Sequence, residues 1–210
     1  HSHVQANRIE LCASLKAIRV QGYVSTTILG NLIGYCGNVA DSLGEAAIVL
    51  DCRDGDTGSP VTADLCSDCT IVGNDIHNQG ADNTAGAHIH LQYCDSPMIA
   101  HNRFGVVLST RTISIGSGTT RRAQITGNCF RANSSSAKSP VGIIGANNLL
   151  DGIFIGNNTR EGYDTATPFV YDESNASAAG RRKILTGIAT AATGAENGSG
   201  LTTNITLDQP

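Results

Sequence analysis

Three of the chain's six histidines lie within twenty residues, in GAHIHLQYCDSPMIAHNRFG at positions 86–105. His88 and His90 are separated by one residue, so on a strand both side chains are expected to project from the same face. An imidazole with an ordinary pKa of about 6.5 can accept a proton near neutral pH. The spacing therefore makes His88 and His90 candidates for general-base chemistry.

Acidic residues precede this segment in the sequence. Asp51 is followed by CRDGDTGSPVTAD, which carries Arg53, Asp54 and Asp56. Paired carboxylates can share general acid and base roles. The stretch DGDTG also has part of the spacing of a calcium loop but lacks the later bidentate acid. Ca²⁺ therefore stays an option, and no other cofactor is predicted.

A metal site on the two histidines is a further alternative. Two imidazoles on one strand face can bind one ion, but such a site needs a third ligand. Asp51 or His77 would have to supply it. Because neither position is fixed by a motif, no metal ligands are predicted.

These residues belong to a repeat. Residues 17–34 align with residues 88–105 without a gap, so that Ile18 meets Ile89, Gln21 meets Gln92 and Asn31 meets Asn102. The frame contains an asparagine three residues after an apolar residue, and its copies are Asn31, Asn74, Asn102, Asn128 and Asn157. The asparagines are separated by 43, 28, 26 and 29 residues. A repeat of this length indicates a solenoid.

Each repeat contains short runs that alternate apolar and polar residues, and no helical periodicity is evident. Such strands must stack on the equivalent strand one repeat away. The alternation places Ile89 and Leu91 inward, and it therefore predicts that His88 and His90 point outward. Opposite charges then recur in consecutive repeats, as with Asp75 and Arg103, and these are expected to form ion pairs.

The form apolar-x-Gly-Asn-x-apolar resembles the right-handed parallel β-helix proteins of the pectate-lyase-like superfamily, over about residues 8–170. The resemblance implies an all-β chain folded as a right-handed, single-stranded parallel β-helix. In those proteins an asparagine occupies a tight turn in coil after coil. Asparagine tolerates the left-handed backbone region, and its amide can bind the amides of the neighbouring coils.

The longest spacing predicts an inserted loop of about 13 residues within positions 52–65. The loop would rise from the strand that precedes the histidine coil. Asp51, the loop acids Asp54 and Asp56, His88 and His90 are therefore expected to share one face. Long loops beside a uniform surface are where solenoids build binding sites.

The resemblance implies a polysaccharide that lies along the stacked coils, and two reactions remain open. Hydrolysis needs two carboxylates, for which Asp51 with Asp54 or Asp56 are candidates. β-Elimination needs a base, for which His90 or His88 are candidates, and a group that neutralises a uronate. The predicted substrate-binding residues are Arg53, Gln92, Arg103 and Asp75. Exposed histidines without a role remain the alternative to both.

Composition excludes some classes of function. A net charge of −4, with no basic run longer than Arg181–Lys183, argues against a nucleic-acid partner. No apolar run approaches the length of a membrane span, so no membrane insertion is expected, and no signal peptide is evident. Seven cysteines at irregular spacing argue against a simple disulfide framework. They are expected to be mainly small buried thiols.

Three segments are predicted. Residues 1–170 form the β-helix coils, which can be a fragment of a longer helix, 171–183 an irregular exit, and 184–210 a C-terminal β segment. The last segment resembles the transition that follows the β-helix in phage tailspikes, where three chains meet. This implies a homotrimer in a virion (phage tail) or another extracellular location, acting as a depolymerase of bacterial surface polysaccharide. A non-catalytic fibre or adhesin module is the alternative of a different class.

Overall fold

The computed structural model describes residues 1–10, 16–21, 25–34, 46–51, 66–77, 87–107, 111–116, 120–132, 139–143, 153–161, 169–172 and 184–186. The described residues form strands and turns, with no helix among them. All the strands pair in parallel, each with the equivalent strand of the next coil. The predicted all-β parallel solenoid is confirmed.

Three parallel sheets run the length of the solenoid, and the chain passes through them in a fixed order. The first sheet contains β1 (Ser2–Gln5), β4 (Thr26–Leu29), β8 (Thr70–Val72), β12 (Met98–Ala100), β15 (Gln124–Thr126), β18 (Ile153–Gly156) and β21 (Ile184–Thr186). The second contains β2 (Arg8–Glu10), β5 (Leu32–Gly34), β9 (Asp75–His77), β13 (Arg103–Val107), β16 (Cys129–Ala132) and β19 (Thr159–Glu161). The third contains β3 (Ile18–Gln21), β6 (Ala46–Asp51), β10 (Ala87–Gln92), β14 (Arg111–Ile115), β17 (Ser139–Ile143) and β20 (Val170–Asp172).

A fourth pairing joins two very short strands. β7 (Cys66–Ser67) and β11 (Cys94–Asp95) lie between the third sheet and the next strand of the first. In the following coil this ladder is reduced to a single bridge between Asp95 and Arg121.

The core is a set of apolar columns, one or two from each sheet. Ile28, Ile71, Ile99, Ile125 and Ile155 form the column of the first sheet. In the second sheet, Ile33 and Ile76 are followed by Phe104 and Phe130, whose rings stack 5.0 Å apart. The third sheet contributes Ile48, Leu50, Ile89, Leu91, Ile113 and Ile115. β-Branched side chains suit these columns because equivalent residues stack at the strand spacing of about 4.8 Å.

A ladder of asparagines stabilises the turn between the first and second sheets. In each coil the backbone N–H and the Nδ2 of one asparagine donate to the Oδ1 of the next, at 2.9–3.0 Å. The members are Asn7, Asn31, Asn74, Asn102, Asn128 and Asn158. Buried amides that are paired in this way avoid the cost of unsatisfied polar groups.

The repeat pattern places the fifth asparagine one residue too early. Asn158, rather than Asn157, accepts from Asn128, and Ile155, rather than Phe154, pairs with core Ile125. Asn157 instead has a φ of 55°, the left-handed conformation that Gly30, Gly73, His101 and Gly127 adopt in the other coils. Two consecutive asparagines occur here, and the Gly-Asn pattern selected the wrong one.

At the C-terminal end, β20 and β21 continue the stacking. β21 pairs in parallel with β18, so residues 184–186 extend the first sheet. The remaining positions of the predicted exit and C-terminal segment, 173–183 and 187–210, lie outside the described residues.

Candidate functional site

Polar side chains from three successive strands meet on the outer face of the third sheet. Asp51, at the end of β6, is in register with Gln21 on one side and Gln92 on the other. His90 lies beside Val49 and Ser114 in the neighbouring row. Arg19 lies in the same row as Val49 and His90, one strand before Val49, because it is in register with Val49. The repeat thus brings together residues that are far apart in the sequence.

On β6 and β10 this face is buried, unlike the outer faces of β4, β8 and β9 in the other two sheets. All six residues of β6 and all six of β10 are buried, whereas β4, β8 and β9 alternate buried and partly exposed residues. Asp51, His90 and Gln92 are only 6%, 5% and 5% exposed. Polar groups removed from water in this way must find partners within the protein.

Two polar contacts link these side chains. The Nη2 of Arg19 lies 3.4 Å from the Oδ2 of Asp51, and the Arg19 side chain is 41% exposed. The Nε2 of His90 lies 3.5 Å from the Oε1 of Gln92, which is at the outer limit of a hydrogen bond. The site therefore contains an ion pair, Arg19 with Asp51, and a second polar pair, His90 with Gln92.

A glycine provides the space for the His90 ring. A Cβ added to Gly116, in the next coil, would lie 2.5 Å from Cε1 and 2.8 Å from Nε2 of His90. The backbone is fixed at this point because the Gly116 N–H donates to the Leu91 carbonyl at 2.8 Å. One coil further, the Arg111 side chain lies over Gly142 in the same manner. Glycines on this face thus leave room for long side chains of the preceding coil.

The prediction that His88 points outward beside His90 is wrong. His88 is fully buried, and its ring meets the core residue Phe104 edge-on, with centroids 5.7 Å apart. Burial, with a smaller contribution from nearby His77, lowers the pKa of His88 to about 3, against the opposing effect of the Gly105 backbone. His88 is therefore neutral and remote from the outer face.

The alternation rule failed at His88 for a structural reason. In the register of β6 and β10, His88 lies beside Ala47. Both Ala47 and the next residue, Ile48, belong to the main core. Two consecutive inward residues break the two-residue period, so His88 and His90 do not share a face.

Asp75 and Arg103, both predicted to bind substrate, lie on the second sheet. Their ion pair between consecutive coils, Arg103 Nη1 to Asp75 Oδ2 at 3.4 Å, confirms the expected charge pairing. His77 Nδ1 lies 3.8 Å from the other carboxylate oxygen. The structure does not bring these residues to the face that carries His90.

A second ion pair lies at the turn before the first sheet. The backbone of Asp95 forms a β-bridge with Arg121, and the Asp95 carboxylate accepts two bonds from the guanidinium of Arg122. Partial burial would raise the pKa of Asp95, yet its bonds and charge interactions with Arg122 and Arg121 lower it overall.

The loop residues Arg53, Asp54 and Asp56 lie outside the described residues. Their placement beside Asp51 stays a prediction. Sequence reasoning missed Arg19 and Gly116 as members of the site. The alignment of residues 17–34 with 88–105 places Arg19 opposite His90, which is the one sequence signal that points to Arg19.

Within the described ranges, no group of three or more histidine, cysteine, aspartate or glutamate side chains could hold a metal ion. That part of the chain also contains no helix long and apolar enough to cross a membrane. Comparison of the chain with known protein families, with curated proteins and with solved structures finds no match in any of the three.

Proposed function

We propose that the chain binds a polysaccharide along the outer face of the third sheet and cleaves it there, with His90 as the proton acceptor. The observation that carries the proposal is the convergence of Arg19, Asp51, His90 and Gln92 on three successive strands. A face that repeats every 4.8 Å or so suits a polymer that repeats along its length.

β-Elimination is the reaction that the described residues support best. It requires one base, which removes the proton next to a uronate carboxylate, and one cation to neutralise that carboxylate. His90 is a suitable base, and Arg19 lies two strands away and reaches the solvent. His90 takes the proton, the bond between the adjacent ring carbon and the glycosidic oxygen breaks, and that oxygen takes up a proton as it leaves. One fragment then ends in an unsaturated sugar and the other in a new reducing end.

Hydrolysis is the alternative chemistry at the same face. It requires a second carboxylate at a defined distance from the first. Asp51 is the carboxylate that the described residues of this face provide, and Asp54 or Asp56 would have to supply the second. Either reaction requires the buried face to open, because Asp51, His90 and Gln92 are almost inaccessible.

The substrate we propose is a bacterial surface polysaccharide, and the wider setting is that of a tailspike-like homotrimer in a phage virion or another extracellular location. This part of the proposal rests on the resemblance of the repeat and of the C-terminal segment. Bound Ca²⁺, held by the loop acids, would supply a further cation for an acidic glycan.

A non-catalytic fibre or adhesin module is the second candidate. The burial of the third-sheet face favours it, since Arg19 with Asp51 and His90 with Gln92 are paired with one another as structural groups are. The exposed surfaces would then bind glycan or merely space other domains.

The test is incubation of the protein with a panel of capsular and O-antigen polysaccharides. Ultraviolet absorbance of the unsaturated product and reducing ends are followed together. We expect both signals to rise, and His90→Ala to lower the rate by about 10²-fold or more. His3→Ala, which changes an exposed histidine on β1, is the matched control. Reducing ends without absorbance would show hydrolysis, and binding without either signal would overturn the enzymatic proposal.

A further inference from the structure

Three buried thiols lie together at the corner where β7 and β11 pair. Cys66 and Cys94 are fully buried, Cys69 is 1% exposed, and none of the three forms a disulfide in the structure. The fourth described cysteine, Cys129, is exposed on β16. The corner is separate from the polar face of the third sheet, and the proposed function makes no use of it.

Cys66 and Cys94 are direct neighbours across two parallel strands. They are in register, so their Cα atoms are about one strand spacing, roughly 4.8 Å, apart. Disulfides accept Cα separations of about 4.4–6.8 Å, so this pair meets the distance requirement. The Cys66 thiol is also close enough to add to the effect of burial in raising the pKa of Cys94.

The third thiol, that of Cys69, is placed less favourably for a disulfide. Cys69 precedes Thr70, and the register of β8 puts it beside Thr26 and Pro97 rather than beside a cysteine. Cys66 and Cys94 also have the same orientation, since each Sγ approaches a third-sheet carbonyl, Val20 at 3.9 Å and Leu50 at 3.7 Å. The geometry therefore singles out one pair among the three possible ones.

We infer that Cys66 and Cys94 are a latent cross-linking site, which a low-molecular-weight disulfide oxidises to a bond between consecutive coils. The exchange is balanced by two thiol protons and two electrons: glutathione disulfide leaves as two molecules of glutathione, and one S–S bond forms between the two Sγ atoms. The reaction passes through a mixed disulfide at one of the two cysteines.

The bond would close a complete coil into a ring. The residues between Cys66 and Cys94 include β8, β9 and β10, and thus His90 and Gln92. The Sγ of Cys94 already lies 3.4 Å from the Gln92 carbonyl, so the cross-link would fix the chain next to the candidate site.

Access to the thiols requires local opening. β7 and β11 have two residues each, so few backbone hydrogen bonds must break. Burial raises the pKa of Cys94 well above its ordinary value, and burial likewise raises that of Cys69 to about 11. Because thiolates are the reactive species, the exchange is slow and has to be followed to equilibrium.

The test uses the whole reduced chain in glutathione buffers of increasing oxidised fraction, held until the thiol count is constant. Free thiols are then alkylated, the protein is digested, and disulfide-linked peptides are mapped by mass spectrometry. We expect a peptide pair joining Cys66 to Cys94, and a rise in the midpoint of thermal unfolding of roughly 10 °C. Cys69→Ala should retain both results, and Cys66→Ala should lose both.

Peptide mapping of the unaltered chain shows whether Cys66 and Cys94 form a disulfide even if Cys66→Ala fails to fold. Alkylation of Cys66 and Cys94 only after denaturation, at every buffer composition, would overturn the inference. Pairing of either residue with a different cysteine would overturn it as well.

Discussion

The imidazole of His90 lies over Gly116 of the next coil, so closely that a Cβ at position 116 would lie 2.5 Å from Cε1. The same relationship recurs where His101 lies over Gly127 and Arg111 over Gly142. The strand register pairs His90 with Ser114, so the ring leans along its strand as well as towards the next coil and lies over Gly116, two residues beyond Ser114. The position of His90 is therefore determined by the absence of a side chain at Gly116.

We predict that Gly116→Ala destabilises the protein by about 1–3 kcal/mol, because the new methyl group overlaps the His90 ring. His90→Ala combined with Gly116→Ala should recover most of this loss, since the ring is no longer present. Free energies of unfolding from denaturant titrations of the single and double variants measure the coupling. Additive losses in the double variant would contradict the proposed contact.

The asparagine ladder allows a comparison between the middle and the end of one column. Asn74→Ala removes the acceptor of the Asn31 backbone N–H and Nδ2, and the donor to Asn102 Oδ1 and the Ile28 carbonyl. We expect a loss of about 3 kcal/mol or more, because several buried groups lose their partner together. Asn7→Ala, at the exposed first position, should cost about 1 kcal/mol. Equal losses of unfolding free energy at both sites would show that burial does not determine how much each asparagine stabilises the protein.

Because His88 is buried and its pKa is lowered, we predict a specific dependence of stability on pH. Its folded pKa is lowered from 6.5 to about 3, so between these values the unfolded chain binds the proton and the folded chain does not. Stability from this residue is therefore present above about pH 6.5 and is lost as the pH falls towards 3. Between pH 7 and pH 5 the loss amounts to about 2 kcal/mol.

His88→Leu places an apolar side chain of similar size against Phe104, and leucine cannot be protonated. We expect the unaltered protein to lose about 2 kcal/mol more than this variant between pH 7 and pH 5, in denaturant titrations at both values. Other titrating groups are common to both proteins and cancel in the difference. Parallel pH profiles would contradict the burial of a neutral imidazole at position 88.

Arg122 combines an ion pair with an unfavourable backbone conformation. It has a φ of 54°, in the left-handed region, while its guanidinium binds Asp95. Arg122→Ala loses the pair, which is worth less than about 1 kcal/mol at an exposed site, and retains the backbone strain. Arg122→Gly loses the same pair but relieves the strain, and should be about 1 kcal/mol more stable than Arg122→Ala. Thermal unfolding of the two variants side by side measures the difference.

The repeat made the fold predictable, because apolar residues and an asparagine recur in one frame and each coil must bury the same positions. The frame did not resolve the choice between Asn157 and Asn158, since only the register with Ile125 distinguishes them. Of the residues that the sequence predicts on one face, Asp51 and His90 do share the outer face of the third sheet. His88 was not separable from His90, because a period of two puts both on one face and only the structure reveals the break in alternation beside Ala47 and Ile48.

Gly116 could not be recognised in advance for a different reason. A glycine within a β-rich repeat is compatible with a turn, a bulge or a close approach, and only the three-dimensional position of the neighbouring ring distinguishes these cases. Arg19 was present in the alignment opposite His90, but its relevance depended on knowing that Asp51 lies within reach.

The asparagine ladder also gives the solenoid a chemical direction along its axis. The amide-to-amide bonds all have one direction: each Nδ2 from Asn7 to Asn128 donates to the Oδ1 of the later coil, and the last acceptor is Asn158. The dipoles of these amides are therefore aligned rather than alternating, and aligned hydrogen bonds polarise one another. The two ends of the column consequently differ: a peptide that stacked beyond Asn7 would have to offer donors, and one that stacked beyond Asn158 would have to offer acceptors.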